Sequence, residues 1–223
     1  MENEVLNQLK DIEIPSVDIE ELVKESFSEE NFELLSDFDK KTFALELINT
    51  CSEYLGVSRS ENIEQVSRFL KLFNLPTRMN GKWVPYCAAG LSFAAAKTYC
   101  NLAGIKYDSS SAIKIFRTVL LKLKNDFFRP TARCWELKET AQNQKKYLIN
   151  NQANRKLVKP GFLVLFNFDS DSLPDHVGIV CSIDSKNVNT IEFNTSSSDD
   201  INGGAVSRRQ RPFNKIQGFV KLY

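Results

Sequence analysis

Residues 159–193, KPGFLVLFNFDSDSLPDHVGIVCSIDSKNVNTIEF, decide the class of fold. Phe162 to Phe168, His176 to Ile183 and Val188 to Phe193 are short runs rich in β-branched and aromatic residues. They are separated by Asp, Ser, Asn and Pro, the punctuation of strands joined by tight connections. Ala205 to Gln210 and Gln217 to Tyr223 continue the pattern. The C-terminal part therefore predicts five strands in succession, and with no helix between them to make a parallel crossover they form an antiparallel sheet.

Upstream of Lys159 the period is helical. Ser36 to Leu55 places Phe38, Phe43, Leu45, Leu47, Ile48 and Leu55 on an apolar face, within a longer helical reading of residues 17–55, and Gly56 stops it. Ser60 is a candidate N-cap for a second amphipathic helix through Ile63, Val66, Phe69, Leu70 and Phe73, which Leu75-Pro76 ends. After a turn-rich stretch, Cys87 to Ala103 is so rich in small residues that it predicts a helix packed closely on all sides, with Gly104 as its C-terminal cap. Ser111 to Lys124 and Cys134 to Ile149 predict two more helices. Helices segregated before a run of strands make an α+β domain. It is expected to occupy residues 59–223, preceded by an acidic helical extension over residues 1–58.

The chain of 223 residues is long enough to bury a core without disulfides or a structural metal. Its five cysteines form an odd set without a CxxC pair, and there is one histidine, which argues against a disulfide framework or a zinc site. No apolar stretch reaches the length of a membrane span, and Met1-Glu2-Asn3-Glu4 lacks the basic-then-apolar plan of a signal peptide, so the expectation is synthesis in the cytoplasm without membrane insertion. Residues 1–50 hold 14 acids against 4 bases, leaving 14 acids against 25 bases in the remainder. A basic body attracts polyanions of any kind, so the charge by itself selects no partner.

The candidate chemistry rests on Cys87 and His176. A thiol opening a helix meets the positive end of the helix dipole, and with a histidine beside it becomes a thiolate nucleophile. Cys51, Cys100, Cys134 and Cys181 lie inside amphipathic or apolar runs and read as inert structural residues. His176 starts a strand, where its ring can face a cleft. A third group must fix the imidazole's tautomer. Glu192 and Asn194, two apart on the next strand, share a face by the strand period, and either can orient His176.

These residues come in a recognisable order. An aromatic-Cys-Ala-Ala opening a helix (Tyr86 to Ala89) is followed by Lys159-Pro160-Gly161 before a hydrophobic strand, then His176-Val177-Gly178-Ile179-Val180, then Glu192-x-Asn194, and last Gly218-Phe219-Val220. This order resembles the CHAP family, the cysteine, histidine-dependent amidohydrolases/peptidases, which are papain-like relatives of the NlpC-type cell-wall peptidases. The resemblance covers about residues 60–223 and departs from the family pattern at three places: Phe162 follows Pro160-Gly161 where the family has Asp, Asp175 precedes His176 where it has Gly, and Phe193 stands between Glu192 and Asn194 where it has Gly.

The resemblance implies Cys87 as nucleophile, His176 as general base, Glu192 or Asn194 as third member, and peptidoglycan as substrate. The chemistry needs no metal or cofactor: a thioester forms at Cys87, and the oxyanion is met by the Cys87 backbone N–H and a second donor from the preceding loop, for which Tyr86 is a candidate. Trp83, Tyr86 and Asp175 are candidates for the substrate cleft. Arg208, Arg209 and Arg211 form either a solvated strand face or a contact for an anionic substrate. A wall hydrolase made without a signal peptide would reach its substrate after lysis, as a phage-type lysin, or through contact-dependent delivery as an antibacterial effector, with an immunity protein as its partner. The alternatives are a cytosolic papain-like protease, deamidase or transglutaminase-like enzyme acting on a protein, or a non-enzymatic fold. No nucleic acid is expected as a partner.

Overall fold

The computed structural model describes residues 39–126, 129–169, 172–195 and 204–223. Within them six helices and a six-stranded antiparallel sheet form an α+β fold, with a separate two-stranded hairpin. The expected helical reading of residues 17–38 lies outside the described residues.

Helix α1 (Lys40–Ser52) starts where Asp39 accepts hydrogen bonds from the backbone N–H groups of Lys41 and Thr42 at 3.3 and 3.0 Å, satisfying donors that the first turn leaves unpaired. Its Phe43, Leu47 and Cys51 are fully buried, so this part of the expected extension belongs to the central core. Helix α2 (Ile63–Lys71) contributes Val66, Phe69 and Leu70 to the same core. The turn-rich stretch folds as a hairpin of β1 (Arg78–Met79) and β2 (Lys82–Trp83), whose Asn80 and Gly81 have φ of 51° and 77°, the left-handed pair that a two-residue turn needs.

Helix α3 (Cys87–Leu102) is buried on nearly every side, as its small residues predict. It packs on α1, on α4 (Ala112–Asp126) and on the sheet. Gly90 makes the approach to the sheet possible, because a Cβ there would overlap the ring of Phe193.

Helix α5 (Cys134–Asn143) is shorter than predicted. Lys145 adopts φ 57°, the Lys146 N–H returns to the Ala141 carbonyl at 2.8 Å, and the chain leaves as β3 (Tyr147–Ile149). The expected helix to Ile149 is thus corrected: a left-handed residue closes it, and Tyr147-Leu148-Ile149 becomes a sixth strand of the sheet, paired with Val220, Phe219 and Gly218. A short helix α6 (Gln152–Arg155) follows. The remaining strands are β4 (Leu163–Phe166), β5 (His176–Ile183), β6 (Asn187–Thr195), β7 (Ala205–Pro212) and β8 (Ile216–Val220), in the spatial order β3-β8-β4-β5-β6-β7.

Alternation along the strands divides the apolar residues. Val177, Ile179, Ile191 and Phe193 join the helix-side core, while Val164, Phe166, Val180, Val188 and Phe219 fill a second cluster on the opposite face. Strand β4 is buried along its whole length because both faces are covered. No helix among the described residues is long and apolar enough to cross a membrane.

Candidate active site

Cys87 is the first residue of α3, after Tyr86, which offers no side-chain cap to the helix. His176 is the first residue of β5. The packing of α3 on β5 and β6 brings these two starts together, and the side chains of Cys87 and His176 are hydrogen bonded. The His176 Nε2 lies 3.0 Å from Oε2 of Glu192, which leaves Nδ1 for the thiol. Gly178 stands opposite Glu192 in the β5–β6 register. A Cβ at Gly178 would come within 2.8 Å of the Glu192 Cγ, so the glycine of His-Val-Gly leaves room for the carboxylate beside the histidine.

Between the two candidates for the third position, the geometry selects Glu192. Asn194 has φ 56°, the β6–β7 register shifts between Glu192 and Thr195, and the strand alternation that would have put both on one face is broken there. Its Oδ1 is buried without a hydrogen-bond partner, and its backbone N–H reaches the Tyr86 hydroxyl.

Glu192 has no exposure to solvent and is held by more than the histidine. Arg211, across β7, donates from Nε to Oε1 at 2.9 Å and from Nη2 to Oε2 at 2.6 Å, a two-point clamp. Thr190 donates to Oε1 at 2.7 Å, and the Arg211 Nη2 also reaches the Thr195 hydroxyl at 3.1 Å. Of the two readings of the arginine-rich strand, Arg211 follows neither: it is the counter-ion of the buried carboxylate. The register forecasts this, because directly paired residues share a face and Arg211, paired with Val188, lies on the face of Glu192.

The charges alternate along this chain of contacts. Hydrogen bonding from Cys134 is the main influence holding the Cys87 thiol well below its ordinary value; burial opposes it, and the hydrogen bond and charge of His176 and the Ala88 N–H reinforce it. Burial pulls His176 down, but the hydrogen bonds to Cys87 and Glu192 and their charges outweigh it and raise the ring to about 9. Burial pushes Glu192 up, and Arg211 followed by His176 overcome it, leaving the carboxyl at about 2. The directions of these shifts all favour the charged forms, thiolate beside imidazolium beside carboxylate, with the Arg211 guanidinium at the end of the row. A reaction that used this imidazolium as its acid toward a leaving amine would hold its kcat/KM through neutral pH and lose it as pH rises through about 9. A pH–rate profile checks this.

The expectation about Cys87 needs one correction: the residue is only 3% exposed, so its thiol is buried and not on an open helix end. Cys134 is a buried core residue, as read, but it opens α5 and its sulfur lies 3.4 Å from that of Cys87, a contact the packing reading did not include. No spacing in the sequence links residues 87 and 134, so the pair was invisible there.

The proposed cleft residues separate. Tyr86 is fully buried, donates its hydroxyl to the Gly204 carbonyl at 2.6 Å and packs on Phe69, so it is a core residue and not a cleft wall. Trp83 keeps partial exposure on the hairpin before Cys87, with the Arg78 guanidinium 3.7 Å from its ring centre. Asp175 accepts the Phe168 N–H at 2.5 Å and shapes the turn before His176. That turn presents Phe168, which is 40% exposed, stacks on Phe166 at 5.7 Å and lies 6.0 Å from the His176 ring. The exposed aromatic beside His176 is therefore Phe168, in a run that the sequence marked only as strand.

No family model, curated protein or solved structure matches this chain.

Proposed function

We propose that the protein is a papain-like cysteine hydrolase of the CHAP type that cleaves amide bonds of bacterial peptidoglycan. The observation that carries this reading is the row Cys87, His176, Glu192, in which a buried carboxylate fixes one ring nitrogen and the other meets a thiol at a helix start. The peptidoglycan assignment draws its support from the ordered motifs around these residues and from the excess of basic residues after position 50, which suits an anionic polymer.

In the reaction, the Cys87 thiolate attacks the amide carbonyl, and the oxyanion is met by the Cys87 backbone N–H at the start of α3. His176 passes its proton to the leaving amine, the C–N bond breaks and a thioester remains on Cys87. The neutral imidazole then takes a proton from water, hydroxide adds to the thioester, and the acid is released with the thiolate restored. Glu192 keeps Nε2 protonated so that Nδ1 faces the sulfur in every step.

The test is incubation of the purified protein and its Cys87→Ala variant with peptidoglycan sacculi, with soluble fragments identified by mass spectrometry. Fragments released by wild type alone, with new amines, support the hydrolase and identify the scissile bond as an N-acetylmuramoyl-L-alanine or a stem-peptide amide. Release by neither, while Cys87 still alkylates rapidly at neutral pH, overturns the wall substrate and moves the reading to a protease, deamidase or transglutaminase-like enzyme acting on a protein. The same fragments, produced on whole cells from outside or from inside the periplasm, separate a lysin from a delivered effector.

A further inference from the structure

The mechanism above uses one thiol, yet two converge on the site. Cys87 and Cys134 are both first residues of helices, both 3% exposed, and their sulfurs lie 3.4 Å apart. A papain-like hydrolysis has no step for the second sulfur. From this geometry we infer that Cys87 and Cys134 form a reversible oxidation site: a hydroperoxide oxidises Cys87, and Cys134 resolves the product into a disulfide that shuts the site and protects it.

The inference rests on the proposed function, which takes Cys87 as the nucleophile; its 3% exposure means that the oxidant has to be as small as hydrogen peroxide. The thiolate attacks one oxygen of hydrogen peroxide; an S–O bond forms, the O–O bond breaks, sulfur loses two electrons, and the departing hydroxide takes a proton and leaves as water. Cys87 is now a sulfenic acid. The Cys134 sulfur, already in contact, attacks it; the S–O bond breaks, oxygen leaves as water with the Cys134 proton, and a Cys87–Cys134 disulfide remains. Over both steps two thiols and one peroxide give one disulfide and two waters. A disulfide of about 2.05 Å asks the two sulfurs to close by a little over an ångström, which side-chain rotation at two helix starts supplies.

The pairing is selective. Cys51 and Cys100 are buried in the core and held above their ordinary values by burial, and burial likewise raises Cys181, so these three are poor nucleophiles. Without a resolving thiol, a sulfenic acid in a catalytic pocket proceeds with further peroxide to sulfinic acid, which a dithiol does not reverse. Cys134 thus converts an irreversible loss into a switch, and a hydrolase so equipped is silenced by an oxidising environment and restored by a reducing one.

The experiment treats fully reduced protein with a small excess of hydrogen peroxide, quenches, and counts free thiols under denaturing conditions alongside peptide mass spectrometry. Wild type is expected to fall from five free thiols to three, with the Cys87 and Cys134 peptides cross-linked, and to return to five with dithiothreitol. Cys134→Ser, which keeps the shape of the side chain, and Cys134→Ala are both expected to accumulate sulfinic acid at Cys87 that dithiothreitol leaves unchanged. Wild type that goes to sulfinic acid with Cys134 still free, or that keeps all its thiols, overturns the inference. None of these readouts depends on hydrolysis. A protein that forms the disulfide but leaves sacculi intact refutes the wall hydrolase alone, and one that cleaves sacculi but never cross-links refutes the switch alone.

Discussion

Alanine at Cys87 and alanine at His176 are each expected to lower the rate of amide hydrolysis by on the order of 10⁴-fold or more, and the two together to lose no more than the worse of them. The reason is the ion pair. The thiolate is held down by His176 among its partners, and the ring is held up to about 9 by Cys87 as well as Glu192, so each group is in its reactive form partly because the other is present. Removing the sulfur deletes the nucleophile. Removing the imidazole deletes the proton donor for the leaving amine and leaves a thiolate supported only by Cys134 and the Ala88 N–H. Two residues that act as a unit give strongly non-additive losses, whereas independent contributions multiply. Steady-state rates of the two single variants and the double variant on a purified wall fragment decide it: a double variant far below both singles refutes the coupled pair. Alkylation at neutral pH adds a second reading, since Cys87 in the His176→Ala protein should react more slowly than in wild type.

The parts of this site that were legible in the sequence are those fixed by local rules. A cysteine at the head of a helix of small residues, and a histidine at the head of a strand, announce themselves through position, and α3 and β5 begin at those residues. The succession of C-terminal strands was legible for the same reason, because period and punctuation are local. What escaped depended on register, bends and contacts between distant elements. The choice between Glu192 and Asn194 turned on a left-handed residue and a register shift, which strict alternation cannot represent. Strand β3 was absorbed into a helix because the residue that ends α5 is Lys145 at φ 57°, where composition alone leads one to look for glycine. Tyr86 looked like a cleft residue from its place beside Cys87, yet its hydroxyl is bound to Gly204, which is more than a hundred positions away. Cys134 and Arg211 meet the site only through tertiary packing, and residues of such types elsewhere in the chain carry no mark that separates them.

Methionine at Arg211 is expected to destabilise the fold by about 3–5 kcal/mol at neutral pH, a larger effect than its position on a polar strand would indicate, because it strips a fully buried carboxylate of its two-point partner. Glu192 then has His176 and Thr190 left, and a carboxylate in a dry site with fewer charged donors rises toward the neutral form. In the native protein its folded value of about 2 lies below the ordinary value near 4.3, so the stabilisation is fully present above the ordinary value and is lost as pH falls through about 2. Without Arg211 the folded value rises, the stabilisation at neutral pH shrinks, and acid unfolding begins at higher pH. Urea denaturation at pH 7 and at pH 4 measures both effects, and a loss under 1 kcal/mol at pH 7 would refute the clamp. The consequence extends to catalysis in the other direction: removing a cation from beside the Glu192–His176 pair leaves His176, among the described residues, as the one charged partner of the carboxylate, so the ring holds its proton at least as firmly and the alkaline limb of the rate profile should not move below about 9. Lysine at the same position keeps the charge but cannot make two parallel bonds, so it should recover part of the stability and leave the carboxylate less firmly oriented. A guanidinium three contacts away from the thiol thus bears both on how firmly the sheet is held and on the charge that the histidine faces.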